Sequence, residues 1–578
     1  MVQERNDYLI SSSMKKYLMA AIAAMLINNL NAMIDGILMG RLLGSSAFSA
    51  VNLCLPMVGL ITACGMLFYV GSDVLASMAA GAREERKACV IYTVSLISVA
   101  VLSIVITAGC LSGLPVISSL ICREEALLGY VSDYLSVCFA GSSITMISAA
   151  LLSFAQVAGK PSLVAHASLV TVCTNIICDI LYVGFFRFGI RGAAAATLTG
   201  SLFAIILILA DSFLKGSQFH FVNPGKEFLP VLKENVRYGF PLMTQSLAIV
   251  AYSYLCNMCA QKFGGVKGAF AVSMLTYATI LCQGVSGGIG QSFNAIGGML
   301  KGQKDDVGVY MLYKKGIRIA AVFSAAVCVV IMAAAPLFAR LMGAEDQEII
   351  RYSARSLRMA LPFVVPICIL WIMPAVYALS GELSILPVIS FSQPVLTVIG
   401  LYLCGTLIGN DYMWLGYPAA AVLCFLILVI IVEKKRSGAK EKRAFLSLLP
   451  VGTAEKNVYD ISVICDPGLL GEQIRQLDAF FDRQDIAYNQ RMRIRLCMEE
   501  MMANIIEHAE RKKSQYFDLK VVVDEESILA VIRDDGQRFD PVHAENMGTG
   551  LKIVKSMCKD IDYTYVYGLN MVFLKWMR

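Results

Sequence analysis

The sequence predicts a polytopic all-α membrane domain of twelve helices followed by a cytoplasmic α/β sandwich domain. Three observations carry this reading. Of 578 residues, 57% are hydrophobic and only 16% are charged, and the mean hydropathy is +0.65, which is far from a soluble globule. Apolar runs of about 20 residues, long enough to cross a bilayer, recur up to residue 433. Beyond that point the chain turns abruptly to charge, Gly and Pro, and then to the mixed strand and helix periods of a soluble domain.

The expected spans are 17–40, 51–80, 90–118, 127–152, 161–186, 192–214, 238–261, 268–300, 317–341, 357–380, 384–407 and 414–433. Arg5, Lys15 and Lys16 precede the first run and no small-residue cleavage site follows, so this run reads as an uncleaved span. Basic residues gather after every second span: Arg83, Arg86 and Lys87; Lys226, Lys233 and Arg237; Lys301, Lys304, Lys314 and Lys315; Lys434, Lys435 and Arg436. The positive-inside rule therefore places both termini, and the soluble domain, on the cytoplasmic side of the plasma (inner) membrane. Eighteen cysteines are scattered without paired metal spacing and read as small buried hydrophobes. The net charge of +6 sits in short loops, with no basic stripe for nucleic acid.

The chain also repeats itself. At a shift of 221 residues Gly44, Ala50, Val51 and Gly81 fall on Gly265, Ala271, Val272 and Gly302, and Arg83 falls on Lys304. Six spans separate the copies, so both halves keep one orientation and the expected symmetry axis runs along the membrane normal. Chance matching among small residues is the competing explanation.

Polar residues within the spans are unevenly placed. In "INNLNAMIDGILMG", Asn28, Asn31 and Asp35 share a helix face, and in "TVCTNIICDILYV" Asn175 and Asp179 share another. Thr197 lies in the sixth span, and the second half has no acid within its spans. Two carboxylates, amides and a hydroxyl make an oxygen-rich cluster suited to a proton or Na⁺. The plain alternative for Asp35 and Asp179 is an inert hydrogen-bonded carboxylate. Asp73, Asp211 and Glu382 lie near span ends and read as interfacial, and His166 and His220 as ordinary loop or interface residues.

Three stretches, "IDGILMGRLLGSSAFSAVNLCLPM", "FAQVAGKPSLVAHASLVTVCTNIICDILYVGFFRFGIRGAAAATLTG" and "YGFPLMTQSLAIVAYSYL", together resemble the multidrug and toxic compound extrusion (MATE) family over about residues 12–435. The resemblance implies two six-helix lobes around a central cleft and antiport of small organic compounds, cations among them, against H⁺ or Na⁺. Asp35, Asn175, Asp179 and Thr197 match the cation site that one prokaryotic branch keeps in its N-terminal lobe. The C-terminal-lobe acids of another branch are missing, with Gln245 and uncharged neighbours in that region, which favours N-lobe coupling.

Residues 434–456 form a charged linker. The soluble domain at 457–578 reads as strand 458–464, helix 468–484, helix 490–509, strands 517–524 and 528–533, a loop, a short helix 550–558, and strands 562–567 and 571–576. "EEMMANIIEHA", "VIRDDGQRFDP" and "MGTGLKIVKS" occur there in order and resemble the N, G1 and G2 boxes of GHKL ATPases, most nearly those of anti-sigma-factor serine kinases. The residue types suit that chemistry. Asn504 can hold Mg²⁺, and Glu500, one turn away, can accept a proton from an attacking hydroxyl. Asp534 can accept from an adenine amino group where Gly536 allows close approach. Gly548 and Gly550 precede a helix whose N–H groups can face phosphate. Taken singly, each box has an ordinary reading as a solvated helix face, a turn or a loop, and only their conjunction is specific. His508 reads as structural, and Arg511, Lys512 and Lys513 as a solvated loop.

The two domains together imply an ion-coupled exporter in the lipid bilayer, with an ATP- and Mg²⁺-binding domain that regulates it or phosphorylates a soluble partner resembling an anti-sigma-factor antagonist. The alternative is a transporter-shaped receptor signalling through a Ser/Thr kinase domain. An ATP-driven pump is disfavoured, since no Gly-x-x-x-x-Gly-Lys-Ser/Thr loop occurs. The acid cluster favours the exporter, because a sensor needs a cleft but no coupling-ion site.

Overall fold

A computed structural model describes residues 5–43, 45–122, 125–342, 344, 346–437, 446–449, 457–484, 486–509, 516–542 and 549–578. Most of the expected linker, at 438–445 and 450–456, lies outside the described residues. The chain divides into two compact units, Leu18–Val451 and a discontinuous one that joins Met1–Tyr17 to Gly452–Arg578. The sequence groups residues 1–17 with the spans, whereas in space the described part, residues 5–17, packs with the soluble domain. The boundary falls inside the first helix.

Among the described residues the membrane unit is built of helices joined by loops, with no strand, as bilayer solvation demands of its spans. Its first half contains α1 (Tyr8–Leu43), α2 (Ser45–Gly81), α3 (Glu85–Ser112), α4 (Glu125–Ala140), α5 (Ser142–Val157), α6 (Pro161–Asp179) and α7 (Gly189–Lys215). The second half contains α8 (Phe228–Ser292), α9 (Asp306–Ala333), α10 (Gln347–Ala360), α11 (Val364–Leu379), α12 (Leu386–Leu407) and α13 (Gly416–Ser437). Among the described residues ten helical segments are long and apolar enough to span, and eleven when α4 and α5, bent by 52°, count as one. The long α8 leaves helical geometry at Gly265 (φ 54, ψ −139), a conformation that favours glycine. Counting the two sides of that break separately makes the twelve the sequence predicts.

The 221-residue repeat is visible in the backbone. Arg83 and its repeat mate Lys304 are both left-handed non-glycine residues, with φ 65 and φ 53, and α3 and α9 begin at the equivalent Glu85 and Asp306. A Cβ on Gly81 would overlap the main chain of Met299, and one on Gly302 would overlap that of Met78. Met78 and Met299 are themselves repeat mates, so the two halves meet here in a reciprocal contact that only small residues permit.

The second unit carries a five-stranded antiparallel sheet of order β1-β2-β3-β5-β4. Its strands are β1 (Val458–Ile464), β2 (Tyr516–Val523), β3 (Ser527–Asp534), β4 (Asp560–Val566) and β5 (Leu569–Met577), and its helices α14 (Leu470–Asp482), α15 (Tyr488–Ala509) and α16 (Thr549–Met557). Strand parity sends Ile461, Phe517, Leu519, Ile532 and Leu574 into one core with Leu477, Met498, Met501 and Val554 of the helices. The opposite parity carries Asp460, Ser462, Asp518 and Arg533.

We expect Gly81→Val or Gly302→Val to force the two halves apart and destabilise the chain by about 1–3 kcal/mol. Gly109→Ala, where a Cβ meets nothing within 4 Å, should leave melting in detergent unchanged. Equal melting of all three variants would refute the close-contact reading.

Candidate functional site

Three helices of the first half bring the expected polar residues together. Asn31 Nδ2 donates to Asp35 Oδ2 at 3.3 Å within α1. With the Asn175 carboxamide turned so that its donors meet acceptors, its nitrogen donates to Asp35 Oδ1 at 2.5 Å and to Asn31 Oδ1 at 3.2 Å, and its oxygen accepts from Thr197 N and Oγ1 at 3.2 and 3.3 Å. Asn175 thus ties α1 to α7. One turn further along α6, Asp179 is 1% exposed, and its Oδ2 is buried with no hydrogen-bond partner among the described residues. Immediately after Asp179 the helix widens into a π-helical segment, Ile180–Phe185, a local irregularity that recurs at functional positions. Asn28, expected on the same face, is exposed. Its neighbour Asn29 instead donates to the Ile280 carbonyl at 3.2 Å.

Asp73 departs from its expected interfacial place. It is 0% exposed, its Oδ2 accepts from Ser153 Oγ, and its Oδ1 has no partner among the described residues. Helix α2 extends about two turns past it to Gly81, so a residue near the end of an apolar run is still inside the packed interior. Asp211 and Glu382 do pair with cations, Lys160 and Lys435 respectively.

In the second unit, Glu500 and Asn504 sit one turn apart on α15. A Cβ on Gly550, in the first turn of α16, would overlap the Glu500 carboxylate, so the first and third boxes meet. The second box closes on itself: Gly536 N and Asn570 Nδ2 both donate to Asp534 Oδ1 at 2.9 Å, and a Cβ on Gly536 would sit 2.7 Å from that oxygen. Gly548 and the run Arg511, Lys512 and Lys513 lie outside the described residues, as does the side chain of His508.

Asn570 escaped the sequence reading. It is 4% exposed, faces Asp534 across the β3–β5 ladder and donates also to the Gln537 carbonyl at 3.0 Å. Its Oδ1 accepts from Phe539 N at 3.3 Å and from Tyr563 OH at 2.7 Å. Burial pushes the Tyr563 phenol up to about 12, so it remains a donor at neutral pH. An amide at a helix-facing position of an otherwise apolar strand, two residues after a Tyr-Gly turn, was the available signal.

Comparison with known proteins matches both units. The model of the MatE family matches residues 20–181 and 241–403, two copies beginning 221 residues apart, and that of the histidine kinase-like ATPase domain matches residues 465–576. The multidrug export protein MepA of Staphylococcus haemolyticus (strain JCSC1435) is 23% identical over 459 residues, 78% of this chain and 100% of the relative. That of Staphylococcus aureus (strain N315) is 26% identical over 316 residues, 52% and 69% of the two chains. Among solved structures, MATE in complex with MaL6 superposes with a TM-score of 0.68 at 23% identity, covering 73% of this chain and 97% of that one. An outward-facing multidrug resistance MATE transporter of the MOP superfamily gives 0.67 at 23% identity, covering 73% and 96%. The likeness to the solved structures shows the fold.

Replacing Asn570 by Leu would strip partners from Asp534 Oδ1, the Gln537 carbonyl and Tyr563 OH. We expect a loss of about 1–3 kcal/mol, with faster amide exchange over residues 536–539 and unchanged exchange in α14. Unaltered exchange at 536–539 would show that the carboxamide does not hold this turn.

Proposed function

This chain belongs to the MatE family, and from that premise we propose that its membrane unit exports small organic compounds by antiport against H⁺ or Na⁺, under the control of its histidine kinase-like ATPase domain. The observation that carries the transport reading is the cluster of half-buried Asp35 and Thr197 with buried Asn175 and Asp179, in which the Asp179 Oδ2 lacks a partner among the described residues. Two carboxylates in one intramembrane cluster call for a proton or a metal cation to offset their charge. The oxygen-only donor set suits either. The Asn175 carboxamide, bonded to α1 through Asp35 and to α7 through Thr197, transmits the charge state of the cluster to helix packing. Small organic substrates are supported by the relatives named as multidrug export proteins.

For the second unit, the residues present fit a bound Mg·ATP, because Gly550 and Gly536 keep the space before the Glu500 and Asp534 carboxylates free of a Cβ. Asp534, oriented by Gly536 N and Asn570, would accept from the adenine amino group. Asn504 would provide an oxygen to Mg²⁺, and Glu500 would take the proton of an incoming hydroxyl. When bound, ATP supplies the phosphoryl group for transfer. On this reading both termini and the ATPase domain are cytoplasmic, where the positive-inside pattern puts them. The ATPase domain controls transport or phosphorylates a Ser or Thr of a soluble partner. The intramembrane carboxylates favour transport over a purely sensory membrane unit.

In proteoliposomes, Asp35→Asn and Asp179→Asn should each cut gradient-driven efflux at least tenfold while the protein stays folded and inserted, since an amide keeps the size but not the titratable charge. Efflux at the wild-type rate in both variants, under an imposed pH or Na⁺ gradient, would sink the coupling assignment.

Asn504→Ala in the full chain should abolish Mg·ATP binding by equilibrium dialysis yet retain efflux when the ion gradient is supplied. Loss of that efflux would make the nucleotide an energy source instead of a regulator. With radiolabelled ATP and cytosolic extract, labelled protein should appear with wild type and not with Glu500→Ala. Label on no protein, or equal label with both, leaves only the nucleotide-sensing role.

A further inference from the structure

The residues that open the described chain are built into the ATPase unit. The Arg5 side chain is 2% exposed, with Nε 3.2 Å from Asp518 Oδ2 and Nη1 3.1 Å from Asp460 Oδ2. Asp518 is held in turn by Ser462 Oγ at 2.6 Å, and Ser462 Oγ accepts from Asn6 N at 3.0 Å. A guanidinium is buried only where carboxylates compensate it, and such a pairing fixes register. The Asn6 side chain caps α1 by accepting from Tyr8 N at 3.0 Å.

From that cap the helix lays one face on the sheet. Leu9, Ile10, Ser13, Met14 and Tyr17 are buried, while Asp7, Lys15 and Lys16 are exposed. This is the i, i+3, i+4, i+7 pattern of a helix seated in a groove. Ser13 Oγ donates to the Tyr567 carbonyl at 2.8 Å, and the Tyr17 ring meets that of Tyr567 edge-on at 5.3 Å.

Among the described residues, a hydrogen bond from the first helix reaches the candidate nucleotide site. Ser12 Oγ donates to Asp535 Oδ2 at 3.0 Å. Asp534 and Asp535 are consecutive, and consecutive side chains along a strand point to opposite faces. The register sets Asp534 beside Phe517 and Asn570, on the face that packs against the helices. Asp535 is the first residue beyond β3, and it is met by Ser12 of the segment whose Arg5 and Asn6 bond Asp460, Asp518 and Ser462 on the other face. The two aspartates are therefore approached from opposite faces of the sheet, one in the second box and one held by the first helix.

We propose that residues 5–17 are a nucleotide-responsive clasp on the outer face of the ATPase sheet, whose closure and ATP binding favour one another through the Asp534–Asp535 pair. The proposal rests on the ATP-binding reading above. Ordering Asp535 through Ser12 orders Asp534 and the Gly536 turn beyond it, and coupling between two sites is reciprocal. Helix α1 runs on from Tyr17 to Leu43 and carries Asn31 and Asp35, so the clasp is one covalent helix with residues of the cation cluster.

The test uses the full chain in detergent, with ATP binding followed by equilibrium dialysis and amide exchange by mass spectrometry. With saturating Mg·ATP, exchange across residues 8–17 should slow at least threefold. Ser12→Ala should bind ATP about fivefold more weakly, within the usual range of coupling, and lose that protection, while Ser12→Thr, which keeps the hydroxyl, should restore both. ATP binding with unchanged exchange at residues 8–17, or Ser12→Ala indistinguishable from wild type, would overturn the clasp alone. No ATP bound by wild type would overturn the nucleotide reading and the clasp with it.

Discussion

The dominant constraint on this chain is that hydrocarbon offers no partner to a bare charge or an unpaired peptide group. It accounts for the helices that make up the described part of residues 18–437, and it makes each intramembrane polar side chain a statement about its neighbours. Asp35 is tolerable because Asn31 and Asn175 meet both of its oxygens. Asp179 differs, since among the described residues its Oδ2 is buried without such a partner, as Oδ1 of Asp73 is elsewhere in the same half. An arrangement that satisfies one carboxylate and leaves its neighbour an open oxygen is poorly explained as structural reinforcement. It fits the proposed role of a place where a proton or cation comes and goes, with Asn175 bonded to both α1 and α7.

The same logic in another solvent organises the ATPase unit. A sheet has two faces, and strand parity decides which side chains each receives. One face takes the apolar residues and the helices that cover them. The other places Asp518 and Arg533 opposite each other in the ladder, buried at 1% and 2%. Charges so buried need compensation, and Arg5 contributes some of it. The amphipathic start of α1 is therefore a component of the domain's outer layer as well as a lead-in to the first span.

Much of this was legible in the sequence, because hydropathy and periodicity are local signals. The ends of β1 agree at 458 and 464, and α15 differs from its expected range only in beginning two residues earlier. The glycine contact at Gly81 and Gly302 was readable as a repeat but not as a contact. Asp73 was misplaced because the end of an apolar run marks where the hydropathy changes, not where packing stops. Asn28 and Asn29 differ by one residue, or 100° on a helix, and which of them turns inward depends on neighbours that a single helix cannot show. Arg5, Ser12 and Asn570 are the deepest failures. Each acquires meaning only from partners such as Asp518, Asp535 and Asp534, 513, 523 and 36 residues away, and no local pattern records such pairings.

A transporter driven by an ion gradient needs no energy from a nucleotide. On the proposed reading, a domain that binds one acts by shifting an equilibrium, and the shift cannot exceed the difference in its affinity for the two states. Useful coupling of this kind is about 1–3 kcal/mol. The contacts of residues 5–17 comprise a buried guanidinium, a few hydrogen bonds and a short apolar stripe. The part of them nearest the second box is small and sits at Ser12, where one hydroxyl meets the residue beside Asp534. A large, rigid interface there would hold the first helix in one place whatever the nucleotide did. A modest one, on a helix that continues to Asp35, is what an adjustable control requires.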